Sequence, residues 1–99
     1  IDDVINCINK LYDIYKNKED FNDIYNIGGG ESIKLNNFIL TIEKLCGKVA
    51  SKNYMPKQDG DVRSTSADCT RILKKINYSP DTTIDIGLSK FYDWYKSYK

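Results

Sequence analysis

The sequence has no histidine, so it lacks the side chain most used as a base near neutral pH and the commonest metal ligand. Histidine-based catalysis and most zinc sites are therefore excluded. Cysteine is scarce and odd in number. The widely spaced Cys7, Cys46 and Cys69 fit buried free thiols in a reducing cytosol better than a disulfide framework, so the expected location is cytoplasmic. No apolar run approaches the roughly 20 residues that cross a bilayer. The opening Ile1-Asp2-Asp3 is acidic where a secretory signal is basic. Charge of one sign is missing too: 15 Lys+Arg against 14 Asp+Glu leaves a net charge of +1, which argues against nucleic acid or a membrane surface as partner. Length sets the last limit. A chain of 99 residues makes one small domain at most, with no room for a second catalytic lobe.

Within those limits the composition is globular, at 40% apolar and 29% charged residues. Val4, Ile5, Ile8, Leu11, Tyr12 and Tyr15 recur at three- and four-residue spacing and predict a helix, with Asp2 and Asp3 as caps at its positive end. Opening at such a cap, without a methionine, predicts a chain that begins inside a larger protein. Lys16 to Asp20 is polar and reads as a loop. Ile24 to Ile27 reads as a buried strand stopped by Gly28-Gly29-Gly30. Leu35, Phe38, Ile39, Ile42 and Leu45 predict a second helix, with Asn36 a candidate cap and Gly47 at its left-handed end. Val49 to Met55 reads as a strand ended by Pro56. Asp68 can cap a short helix carrying Ile72, Leu73 and Ile76. Thr82 and Asp85 have capping-box spacing before a last helix with Ile84, Leu88, Phe91, Tyr92 and Tyr95. Four helices mixed with short strands predict an α+β or α/β lobe that packs on something else.

Four constellations bear on chemistry. Tyr12 and Lys16 match a Tyr-x-x-x-Lys pattern in which a lysine one turn on activates a phenolate, but both Tyr12 and Tyr15 continue the apolar face and are read as packing. Gly28-x-Gly30-x-x-Ile33 lacks the third glycine of the dinucleotide fingerprint and is read as a turn needing positive φ. Asp59, Asp61, Arg63, Thr65 and Asp68 gather acceptors and one guanidinium around Gly60. They are equally a ligand-binding loop and a solvated turn. Phe91, Tyr92, Trp94, Tyr95 and Tyr98 are read as a docking face rather than a base-stacking platform.

The order of motifs says more than any one of them. Ile1-Asp2-Asp3-Val4, Tyr25-Asn26-Ile27-Gly28, Phe38-x-x-x-Ile42-Glu43-x-x-x-Gly47-Lys48, Pro56-Lys57-Gln58-x-Gly60-Asp61-Val62, Thr65-x-Ala67-Asp68 and Phe91-x-x-Trp94-Tyr95 succeed one another along essentially the whole chain. Together they resemble the C-terminal part of the nucleotide-sugar epimerases among the extended short-chain dehydrogenase/reductases, and UDP-glucuronate 4-epimerases most of all.

The resemblance implies a small α/β, mixed helix and strand, substrate-binding lobe over residues 1–99. It implies that the Rossmann domain binding NAD and carrying the catalytic groups lies outside this chain, which would hold no catalytic, cofactor or metal residue of its own. It also implies dimerisation through helices of that absent domain. Asp61 matches the aspartate that hydrogen-bonds the ribose of the uridine diphosphate, and Gly60 lets the backbone approach the ligand. Gln58 stands where many relatives have an arginine, so either Arg63 supplies the cation or the diphosphate is held from the other lobe. Asn26, Ile27 and Gly28 match a segment that shapes the lobe. A nucleotide-sugar dehydratase or reductase shares the same lobe, and a stand-alone binding module is the alternative from a different class.

Overall fold

The computed structural model describes residues 1–19 and 22–99; the last residue of the polar loop read from the sequence, Asp20, lies outside the described residues. The described residues form four helices: α1 (Asp2–Tyr15), α2 (Leu35–Cys46), α3 (Thr70–Ile76) and α4 (Ile84–Tyr98). The chain forms two compact units, one from Ile1–Glu31 with Ser66–Thr82 and one from Ser32–Thr65 with Thr83–Lys99.

The described residues contain no strand, so the expected α/β, mixed helix and strand lobe is corrected to an all-helical fold. The physical reason lies in what surrounds the two candidate strands. A strand needs a neighbouring backbone edge to exchange hydrogen bonds with. The segment at Ile24–Ile27 has helices beside it, whose backbone groups are already paired, and its carbonyls are met by side chains instead. Arg71 Nη1 donates to the Ile24 carbonyl at 2.8 Å. Tyr78 Oη donates to the Gly28 carbonyl at 2.9 Å, where Cys69 Sγ also reaches at 3.7 Å. Asn26 Nδ2 in turn donates to the Asp68 carbonyl at 3.2 Å. Val49–Met55 runs over the surface with Val49 87% and Met55 77% exposed; its Ala50 amide donates to the Glu43 side chain at 2.8 Å, and it pairs with no strand among the described residues.

The first unit has a small core. Periodic apolar residues put Cys7 and Leu11 on the face of α1 that packs against α3, where Ile72 is 0% and Cys7 1% exposed. Tyr78 closes the cluster, and Tyr25, Ile27, Cys69 and Ile76 surround it. The three cysteines are free thiols, but only Cys7 is fully buried. In the second unit α2 packs on α4, with Ile42 and Leu45 facing Leu88, Tyr92 and Tyr95 around an apolar cavity of about 230 Å³. No described side chain of that unit is fully buried.

Helix ends follow the sequence signals with instructive shifts. Gly47 adopts φ +63° at the end of α2 as expected, while Lys34 rather than Asn36 precedes the helix. Cys69, not Asp68, holds the cap position of α3, but Asp68 Oδ1 just before it accepts from the Thr70 hydroxyl at 2.6 Å and amide at 3.0 Å, which holds the Asp68 carboxyl below its ordinary pKa. Asp2 and Asp3 stand inside the first turn of α1 and do not cap it. Asp3 instead accepts from the amide and hydroxyl of Thr82, each at 3.2 Å. With Thr82 engaged there, Thr83 caps α4, accepting from the Ile86 amide at 3.4 Å, and the expected capping box does not form.

Gly28 is placed by close approach. A Cβ built on it would stand 2.8 Å from Ala67 Cβ, an atom fixed to backbone, whereas one on Gly29 meets nothing within 4 Å. Gly28→Ala is expected to destabilise the first unit by about 1–3 kcal/mol through overpacking, and Gly29→Ala to change stability far less. Urea midpoints of the two variants check this, and equal midpoints would contradict it.

Candidate functional site

The loop between the surface segment and α3 carries the four residues assigned to substrate. Its centre is a tight turn. The Asp61 amide donates to the Gln58 carbonyl at 3.3 Å, and Gly60 has φ +83° at the third position, where a type II turn requires glycine or asparagine. Gln58, Gly60, Asp61 and Arg63 are all exposed. Asp61 Oδ1 accepts from the Val62 amide at 2.9 Å, which orients the carboxylate and leaves Oδ2 without a protein donor among the described residues. Arg63 forms no ion pair among the described residues. Beyond it, the hydroxyls of Ser64 and Ser32 meet at 2.7 Å and tie the loop back toward the start of α2. The turn thus presents one oriented carboxylate, with a guanidinium that has no ion-pair partner among the described residues two positions on.

The other sequence candidates have local partners of their own. Asp68 belongs to the first unit, and its carboxylate serves α3. Tyr12 is 67% exposed rather than packed, and Lys16 Nζ donates to Asp13 Oδ1 at 3.1 Å. Gly30 takes φ +78°, the positive value expected of the glycine turn. On α4 the aromatic group divides. Phe91, Tyr92 and Tyr95 line the cavity against α2, and Phe91 also heads an exposed row with Trp94 and Tyr98, ring centroids 5.7 and 5.4 Å apart. No helix among the described residues is long and apolar enough to cross a membrane.

Sequence reading missed a polar cluster at the edge of the first unit's core. The buried Tyr15 hydroxyl donates to Asp23 Oδ2 at 2.7 Å and shares a 2.8 Å hydrogen bond with the Tyr25 hydroxyl, which reaches Asp23 at 3.3 Å. Arg71 Nη2 lies 3.5 Å from Asp23 Oδ1, and its guanidinium sits over the Tyr25 ring at 5.3 Å. The Lys75 and Lys18 ammonium groups lie over the Tyr15 ring at 5.1 and 5.3 Å. The Tyr15 hydrogen bond, reinforced by Tyr25 and the nearby cations, holds the Asp23 carboxyl below its ordinary value. The same bond to Tyr15, with partial burial and the Asp23 charge, pushes the Tyr25 phenol up to about 12. A groove of about 560 Å³ opens beside the cluster, between Ile8, Leu11 and Tyr12 on one side and Tyr25 on the other. The only sequence cue was the spacing of two tyrosines around one aspartate, which has no helical or strand period.

Comparison with known proteins finds relatives that this chain matches over part of their length. No family model matches the chain. Protein CapI of Staphylococcus aureus is 44% identical over 75 residues, covering 76% of this chain and 22% of that protein. An uncharacterized protein of Methanocaldococcus jannaschii is 43% identical over 79 residues, 79% of this chain and 24% of its own length. The UDP-glucuronate 4-epimerase of Thermodesulfobacterium geofontis is 36% identical over 75 residues, 75% of this chain and 23% of its own. The curated relatives of this stretch thus include proteins named CapI and UDP-glucuronate 4-epimerase. The chain spans under a quarter of the length of these curated relatives.

The Tyr15–Asp23–Tyr25 cluster makes a pH signature. Because the Tyr25 phenol ionises near 12 in the fold against 10.0 ordinarily, the stability it contributes is intact below pH 10 and is lost as pH rises toward 12. Asp23 acts at the other end, where its contribution is lost as pH falls through its lowered value. Tyrosinate absorbance is expected to show late-ionising phenols, the buried Tyr78 being raised by burial as well, and Tyr25→Phe removes one of them. Ionisation of every tyrosine together near 10 would contradict the cluster.

Proposed function

We propose that this chain is the nucleotide-sugar-binding part of an NAD-dependent 4-epimerase acting on UDP-glucuronate or a close relative of it. The observation that carries the reading is the match of three quarters of the chain to a protein named UDP-glucuronate 4-epimerase, joined to an exposed turn that orients the one carboxylate the resembled family uses on ribose. Asp61 accepts from the ribose hydroxyls through the oxygen that the Val62 amide leaves open. Gly60, at positive φ, keeps the turn low so that ligand and backbone approach closely. Gln58 contributes a neutral amide, and Arg63 a guanidinium for the diphosphate.

NAD supplies the hydride chemistry when bound. The residues here do not fit it. Gly28 is packed against Ala67, its carbonyl is taken by Tyr78, and α2 begins only at Leu35, so no glycine turn opens a helix toward a pyrophosphate. The reading therefore places NAD, the catalytic base and the dimer contact on a Rossmann domain joined to this chain in a cytoplasmic enzyme. What this chain does is bind and orient the nucleotide.

Two outcomes test the reading. The 99-residue chain alone is expected to turn over no UDP-glucuronate, and measurable epimerisation by it would refute the division of labour. In the enzyme that includes the Rossmann domain, Asp61→Ala removes charge-assisted bonds worth about 1.5–3 kcal/mol, so KM for the UDP-sugar should rise about ten- to hundredfold. NAD affinity should not move. An unchanged KM would leave Asp61 as a turn residue only.

A further inference from the structure

We draw no further inference here: the strongest candidate, the apolar cavity between α2 and α4 with the exposed ring row of Phe91, Trp94 and Tyr98 on the same helix, is an unpartnered apolar face, and nothing in the structure shows what covers it.

Discussion

Tyr78 donates its hydroxyl to the Gly28 carbonyl from a ring that is only 5% exposed, and the first unit is organised around that bond. An extended segment beside helices has carbonyls with no ladder to satisfy them, and each buried one left unmet costs about 1–3 kcal/mol. Here the donors come from α3 and its flanks: Arg71 to Ile24, Cys69 and Tyr78 to Gly28. The same Tyr78 ring packs on Cys7 and Ile72, so the polar bond and the apolar core are made by one side chain. Gly28 must be glycine because this arrangement brings it against Ala67.

Burial of the Tyr15 ring sets a second requirement. Its hydroxyl needs a partner at the edge of the core, and Asp23 supplies one while serving Tyr25 as well. A carboxylate there gathers cations, and Arg71 joins this cluster to the Ile24 carbonyl through its other nitrogen. Arg71 therefore links the two polar arrangements of the unit. The thiol of Cys7, behind them, is pushed up chiefly by burial, as befits a packed rather than a reactive cysteine.

All four helices were legible because a 3.6-residue period is a local property, and each lies where its apolar residues recur. The strands were not, because β propensity at Ile24–Ile27 and Val49–Met55 says nothing of whether an edge is available to pair with. Caps slipped for a related reason: Asp3 takes Thr82 from far away in sequence, so the cap of α4 passes to Thr83. At the candidate site the turn itself was readable from Gly60, and Asp61 stands oriented within it. What the sequence could not show is that the Asp68 carboxylate accepts from the amide and hydroxyl of Thr70. The Tyr15–Asp23–Tyr25 cluster left no periodic trace to read.

On the proposed reading, the exposed loop also ranks its own residues. An immobilised long side chain gives up about 0.5–1.5 kcal/mol on binding, against which each new charge-assisted bond counts. Asp61 is short and already held by the Val62 amide, so it loses little by receiving a ribose hydroxyl. Arg63 and Gln58 stand in solvent with long flexible stems and lose more. The carboxylate is thus the anchor of this turn, and the guanidinium contributes chiefly by drawing an anionic ligand toward it, an effect that added salt weakens.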